Sequence, residues 1–316
     1  MKRIIVIILV LLISSCSKNK QSDIEINDNS EKSIGTIASG GMEFTVKYTK
    51  PRGIYKIENH DLNNDGKDEV IVLSVNQADS IKEHFDFYNF DLIQIFSFDS
   101  AMKSFKKILS DTVDYATECK SIDLQKNHKP QILINTNYGG NDVIISKGMF
   151  VYNMISNDSV ALVKYIDAGN PELVDLNADS NKELIVYDEF WGVMTQADVI
   201  YYIRDILKFN GNGFDRVNKD YQNFYNKIID SAKAQYQMQK EKFSKNEKIK
   251  PSEYPFYRPI IEMSVNAIAS GNVDAVRQFW YAEKDFLHLH LGEEQYTDIL
   301  NFFNKYILNG SPIAYR

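Results

Sequence analysis

The sequence predicts an α+β protein, in which a β-rich region is followed by an all-helical C-terminal region. Up to residue 217, short apolar and β-branched runs alternate with turns rich in Asn, Asp, Ser and Gly, as in antiparallel hairpins. From about Asp220, apolar residues recur at the three- and four-residue spacing of an amphipathic helix. The predicted β-rich region covers 39–217, and the predicted helical region covers 218–316.

Residues 1–15 predict an export signal. Two basic residues precede the unbroken apolar run 4–13, which is too short to cross about 30 Å of hydrocarbon as a helix. The small residues just before Cys16 resemble the lipobox of bacterial lipoprotein signal peptides. This resemblance implies cleavage before Cys16, lipidation of that cysteine with palmitate among the acyl groups, and attachment to a membrane through the lipid. A plain secretory signal or a short anchor helix is the alternative.

Residues 16–38 predict a lipid-anchored flexible tether. They are polar, mixed in charge and poor in aromatic residues, so they bury too little apolar surface to offset the entropy of ordering. Ser17 follows the cysteine at a position where Asp resembles an inner-membrane retention signal. The expected location is therefore the bacterial outer membrane, on either its periplasmic or its surface face.

Charge and cysteine content exclude two further properties. The chain has 36 Lys and Arg against 43 Asp and Glu, a net charge of −7, and so lacks the basic surface expected of a nucleic-acid-binding protein. Cys119 is the second of two cysteines. With Cys16 lipidated, no intramolecular disulfide can form, and stability must come from packing or bound metal.

Three nine-residue loops share one pattern, and each leads directly into an apolar strand. They begin at Asp61, Asp123 and Asp175. Oxygen-bearing side chains at positions 1, 3 and 5 can converge on one point, and a carbonyl at position 7 and a carboxylate at position 9 can complete a calcium shell. The predicted calcium ligands are Asp61, Asn63, Asp65, the Lys67 carbonyl and Glu69 in the first loop, and Asp175, Asn177, Asp179, the Asn181 carbonyl and Glu183 in the third.

The position of the closing glutamate separates two kinds of calcium loop. An EF-hand needs a glutamate at position 12, where this chain has Val72 or Val186 inside an apparent strand. A glutamate at position 9 leading into a strand resembles the integrin-type FG-GAP and VCBS repeats, over roughly residues 42–217. The resemblance implies that each repeat is a blade of a β-propeller, with structural calcium in the loop that enters a blade strand.

The number of repeats is small for a closed propeller, which usually has four to eight blades. Three repeats are present, preceded by a predicted hairpin of 42–49 and 53–58. Two arrangements are open: a small divergent ring, or an open stack of blades capped by other structure.

The middle loop departs from the pattern. Asn127 and Gln131 replace charged ligands, Gln125 replaces an asparagine, Pro130 interrupts the loop, and Asp123 is the only carboxylate left. We expect this loop to keep the turn without the metal. For the other two loops, the alternative is a turn rich in Asp and Asn that holds no ion.

No active site is predicted. His288 and His290 would share a face in an extended segment, but no third ligand stands at a recognised zinc spacing, so partly buried or surface histidines are favoured. Residues 138–142 form either a binding loop or a plain surface turn. The sequence lacks a Gly-x-Ser-x-Gly elbow, a phosphate loop and a His-Glu-x-x-His motif.

These features predict a non-catalytic, calcium-stabilised envelope lipoprotein that binds a protein or glycan as an adhesion or scaffold module. Two alternatives stay open. A cell-envelope hydrolase would have a cleft with convergent carboxylates beyond the calcium ligands. A structural envelope component that docks a partner through its helices would expose an apolar patch within 220–308.

Overall fold

The computed structural model describes residues 32–39, 42–77, 88–142, 144–190, 201–244 and 256–309. In these residues the strands precede the helices, which confirms the mixed α and β content. The predicted signal peptide, Cys16 and most of the predicted tether lie outside the described residues. The strands are β1 Lys32–Ser39, β2 Met42–Thr49, β3 Arg52–His60, β4 Glu69–Asn76, β5 Phe90–Asp99, β6 Ser104–Ile122, β7 Gln131–Asn137, β8 Lys147–Ser156, β9 Ser159–Ile166, β10 Glu172–Val174, β11 Glu183–Phe190, β12 Tyr201–Phe209 and β13 Phe214–Arg216.

The C-terminal part of the described chain is helical. Gly271, with φ 74°, ends the second helix in the left-handed conformation that glycine adopts at little cost. None of the described helices is both long enough and apolar enough to cross a membrane. The helices are α1 Gln222–Ser244, α2 Tyr257–Ser270, α3 Asp274–His290 and α4 Glu293–Phe302; a turn of 3-10 helix, Asn218–Tyr221, precedes α1, and a π-helical turn, Phe303–Leu308, follows α4.

Strand pairing at the start of the described chain differs from the prediction. We expected 42–49 and 53–58 to form a hairpin, but β2 pairs with β1 in a separate two-stranded sheet, and β3 pairs with β4. The tether predicted over 16–38 is therefore too long at its C-terminal end, because β1 begins at Lys32. The polar composition of residues 17–38 as a whole concealed this strand, whose backbone pairs with β2 from Lys32 to Ser39.

The remaining strands form three four-stranded antiparallel units. The 19-residue strand β6 pairs with β5 through Ser104 to Ala116 and with β7 through Ala116 to Ile122. The seven-stranded sheet β3–β9 is therefore two meanders that share β6, and β10–β13 is a third. The predicted loops enter the second strand of each unit, which is β4, β7 or β11.

The units lie in layers, because the side chains on the two faces of one strand pack against different neighbouring units. On β4, Val70 packs in a cluster with the β1–β2 sheet, whereas Ile71 packs in a cluster with β7 of the second unit. On β12, Leu207 packs with the second unit and Ile206 packs in the helical core. The order is thus β1–β2, first, second and third unit, and helices. Among the described residues, no strand pairing closes these layers into a barrel or propeller.

Candidate calcium-binding loops

The three loops have the same backbone. In each, the residues at positions 4 and 6 adopt the left-handed conformation, which non-glycine residues populate only at a cost of about 1–3 kcal/mol. A shared and partly strained turn indicates that the three loops are copies of one structural element. The φ values are 63° for Asn64 and 82° for Gly66, 53° for Lys126 and 62° for His128, and 61° for Ala178 and 74° for Ser180.

In the first loop the carboxylates accept bonds from the loop's own backbone. Asp61 accepts the Asp65 N–H through Oδ1 at 3.1 Å and the Gly66 N–H through Oδ2 at 2.9 Å. Glu69 Oε2 reaches back across the loop and accepts the Leu62 N–H at 2.9 Å. The side chains at positions 1 and 9 are thus directed into the loop, from its two ends.

Glu69 lies in a site of concentrated negative charge. It is only 1% exposed, and burial raises the pKa of its carboxyl group, as do the nearby charges of Asp65 and Asp61. The Leu62 N–H and the Ser97 hydroxyl, which donates to Oε1 at 3.1 Å, lower the pKa in part. A cation among these oxygens would remove the charge repulsion.

The third loop holds two carboxylate oxygens without a hydrogen-bond partner. Glu183 is 0% exposed; its Oε2 accepts the Leu176 N–H at 3.0 Å, and its Oε1 is buried and unpartnered among the described residues. Asp175 accepts the Ser180 N–H through Oδ2 at 3.0 Å, while its Oδ1 is likewise buried and unpartnered. Buried acceptors are nearly always satisfied in native proteins. The two orphaned oxygens belong to positions 1 and 9, so this loop fits a calcium ion.

The second loop has the same turn but closes it with an amide. Gln131 accepts the Leu124 N–H through Oε1 at 3.1 Å, as the glutamates do in the other loops. Its Nε2 donates to the Lys129 carbonyl at 2.7 Å, which is the position 7 carbonyl. This N–H takes the place that an ion would have between positions 7 and 9.

The third loop lies at the junction of the strands and helices. Leu176 packs against the helical core. Tyr221, in the 3-10 turn before α1, lies beside Glu183, and burial followed by this carboxylate raises the pKa of its phenol. The loop also bonds to its neighbour, because the Lys182 N–H donates to the Leu124 carbonyl at 3.1 Å.

Among the described residues, no metal site is formed by His, Cys, Asp and Glu side chains alone. Within the described ranges, no group of three or more of them is arranged to hold an ion. The scheme predicted from the sequence also uses asparagine and backbone oxygens. Each oxygen of Asp61 accepts one N–H and keeps a further lone pair for an ion, whereas Asp175 and Glu183 each present one oxygen with no donor among the described residues.

The two candidate histidines do not form a site. Both lie on α3, where residues two apart point in nearly opposite directions. The His288 ring is 4.6 Å from that of Tyr296, and the His290 ring is 4.7 Å from Phe243 and 4.4 Å from Phe286. His288 is exposed and His290 is half-buried, as favoured from the sequence.

The 138–142 segment is a turn fixed by its last residue. Gly139 and Gly140 have positive φ values of 71° and 122°. Asp142 accepts the Ile144 N–H at 2.8 Å and a short hydrogen bond from the Tyr202 hydroxyl, which lowers the pKa of Asp142. This segment therefore connects the second unit to the third.

Sequence reasoning missed a cleft of about 580 Å³ between β9 and the strands β11–β13. Asp167, Asp188 and Asp205 line it. Asp205 is buried, which raises its pKa, and is paired with Arg216 at 2.6 Å and with the Asn218 amide at 2.7 Å. Asp188 and Asp205 stand on β11 and β12, Asp167 directly follows β9, and no spacing in the sequence relates the three.

No protein-family model matches the chain, and no curated protein sequence is detectably similar to it.

Proposed function

We propose that the protein is a non-catalytic, calcium-stabilised lipoprotein of the bacterial cell envelope that binds a protein or glycan partner. The lipobox-like segment before Cys16 supports an anchor in the outer membrane. The three units support the FG-GAP and VCBS interpretation, since each has four strands and a calcium-type loop entering its second strand. In this interpretation each unit is a blade, and the blades form an open stack capped by β1–β2 and by the helices.

The observation that carries the calcium assignment is the pair of unpartnered oxygens in the third loop. Glu183 Oε1 and Asp175 Oδ1 are buried without a donor, a state that costs roughly 1–3 kcal/mol per group in a folded protein. Calcium would supply the missing positive partner, and Glu69 and Asp61 are placed equivalently in the first loop. Bound ions would hold each loop against the strand that follows it, with no catalytic role.

Isothermal titration of the full-length, detergent-solubilised protein with calcium tests this assignment. We expect two ions per chain, at dissociation constants of roughly 10⁻⁴–10⁻³ M as in other extracellular modules. Glu69→Gln and Glu183→Gln should each leave one ion and the double variant none. The control is Glu172→Gln, an exposed carboxylate outside the loops. No binding by the unaltered chain at millimolar calcium would contradict the assignment.

Metabolic labelling tests the anchor. Cells expressing the full-length chain with labelled palmitate should yield labelled protein in the membrane fraction, and Cys16→Ser should abolish the label. Because Cys119 is the second cysteine of the chain, Cys119→Ser is the matched control and should keep the label. Label retained by Cys16→Ser would refute lipidation at that position.

The cleft gives the hydrolase alternative a specific basis, because three aspartates line it. Glycosidases use two carboxylic groups as acid and base or nucleophile. Asp205 is already paired with Arg216, and Asp167 accepts the Tyr165 hydroxyl at 2.7 Å. A binding role therefore fits better than hydrolysis.

The docking alternative has less support. Among the described residues of the helical region, the exposed large apolar ones are Met238, Tyr281 and Leu289, at 49%, 58% and 76% exposure. Single exposed apolar residues are normal on soluble proteins. Met238 lies on α1 and the other two on α3.

A further inference from the structure

Four tyrosines lie on the side of the seven-stranded sheet opposite the calcium-type loops, three of them at or near an end of β5, β7 or β9 and one in the middle of β6. We call Tyr88, Tyr115, Tyr138 and Tyr165 the tyrosine row. Ring centroids are 6.2 Å apart for the first pair and 4.8 Å for the second, and the hydroxyls of the last pair are 2.8 Å apart. Tyr115 and Tyr165 are each 43% exposed. The row therefore presents partly exposed rings across four neighbouring segments of the seven-stranded sheet.

The backbone of β6 is irregular at Tyr115, the second member of the tyrosine row. Tyr115 has φ 55°, a left-handed conformation that is rare and costly for an aromatic residue. The register of β6 against β7 shifts between Ala116 and Glu118, where β6 passes from the first unit to the second. Such bulges re-aim side chains. Tyr115 is therefore held in a strained backbone conformation while its ring is partly exposed at the surface.

The row continues into the 580 Å³ cleft. Tyr165 lines this cleft and donates to Asp167. Tyr187 lies on another of its walls, in contact with the Arg204 guanidinium at 5.5 Å from the ring centre. The cleft also contains Lys164, so aromatic faces, cations and carboxylates surround one space.

A second cleft, of about 330 Å³, lies beside the row. Its lining is rich in amides and hydroxyls, and Thr136 Oγ1, in a residue 2% exposed, is buried there without a hydrogen-bond partner in the described structure. The polar lining residues are Thr117, Asn135, Thr136, Asn137, Lys147 and Asn170. Such a wall offers both donors and acceptors, which is what a ligand with many hydroxyl groups requires.

We propose that the tyrosine row and its two clefts bind an uncharged glycan chain. A sugar ring has an apolar C–H face that can lie on a tyrosine, and hydroxyls at its rim that can bond to amides and carboxylates. A nucleic acid is disfavoured by the net charge of −7, and an acyl chain by the charged lining of the clefts. This inference rests on the proposed binding function and names its ligand class.

The test is retention of the full-length, detergent-solubilised protein on arrays of neutral oligosaccharides, namely glucans, mannans, xylans and galactans, with anionic glycans alongside. We expect a neutral set to be bound, Tyr115→Ala and Tyr165→Ala to weaken it about tenfold each, and the double variant to lose it. The matched control is Tyr281→Ala, a 58% exposed tyrosine on α3, which should bind normally. Chemical nitration of the unaltered protein gives a readout without variants: bound glycan should protect Tyr115 and Tyr165 but not Tyr281.

The outcomes separate this inference from the proposed function. No neutral glycan bound, selective binding of anionic glycans, or equal loss with Tyr281→Ala would overturn the glycan site, even if calcium titration succeeds. If the glycan is bound through the tyrosine row but the titration detects no calcium, the glycan site is supported and the calcium assignment is contradicted. Release of reducing ends from a bound glycan, abolished by Asp188→Asn, would support the site but show that the protein is an enzyme.

Discussion

Glu183→Gln should change the stability of the protein in opposite directions with and without calcium. In a calcium chelator, the wild-type carboxylate is buried with Oε1 unpartnered, whereas glutamine keeps the acceptor for the Leu176 N–H and removes the charge. Gln131 shows how the new amide can be satisfied, since it donates to the position 7 carbonyl of its loop. Relief of one buried unsatisfied group is worth about 1–3 kcal/mol. The variant should therefore be more stable than the wild type in chelator.

Calcium should reverse this order. At 10 mM calcium and dissociation constants of roughly 10⁻⁴–10⁻³ M, mass action stabilises the wild-type third loop by about 1.4–2.7 kcal/mol. For a large domain each kcal/mol moves the melting temperature by about 2–4 °C, so this loop should contribute about 3–11 °C. The variant lacks that contribution and keeps only the response of the first loop.

Thermal melts followed by circular dichroism, in chelator and in 10 mM calcium, measure both effects on the full-length chain. Glu172→Gln is the control for loss of an acidic residue, because Glu172 is exposed on β10. The reasoning is refuted if Glu183→Gln melts below the wild type in chelator, or if its calcium response equals that of the wild type.

Three further predictions concern other parts of the chain. Gln131→Glu should destabilise the protein by about 1–3 kcal/mol in chelator, measured by urea unfolding, because the bond to a carbonyl is lost; calcium should restore part of the stability. Burial raises the pKa of Cys119 to about 12, so at pH 8 its alkylation, followed by mass spectrometry, should be roughly a thousandfold slower than in the unfolded chain. Trp280→Ala should cost about 3–5 kcal/mol, measured by urea unfolding, because its ring is 2% exposed and stacks on Phe303 at 4.5 Å.

The loops were predictable because their chemistry is local. Nine consecutive residues determine both the turn and the oxygens directed into it, so Asp61 to Glu69 and Asp175 to Glu183 can be identified from spacing. The amides of the middle loop also predict that it keeps the turn without the metal. The bond from Gln131 to the Lys129 carbonyl, in contrast, is known only from the structure.

The layers were only partly predictable. Continuous apolar runs such as Val70 to Leu73 predict strands buried on both faces, but not which neighbour covers each face. β1 was missed because it lies at the end of a segment that is polar as a whole, and its pairing with β2 is not encoded in its own composition. The tyrosine row was also missed, since its members are far apart in sequence and are aligned only by the register of five strands.

The middle loop explains why a repeat can lose its ion and remain in place. Its position 3 residue, Gln125, donates through Nε2 to the Phe209 carbonyl at 3.0 Å, and Asn153 donates to the Gly211 carbonyl at 2.9 Å. Phe209 ends β12 and Gly211 lies in the turn between β12 and β13, so both carbonyls belong to the third unit. Gln125 stands where the other two loops have Asn63 and Asn177, so this position carries an amide in all three loops. The amides of Gln125 and Asn153 bind the second unit to the third through hydrogen bonds that need no ion, whereas Glu183 of the third loop lies beside Tyr221 at the start of the helical region.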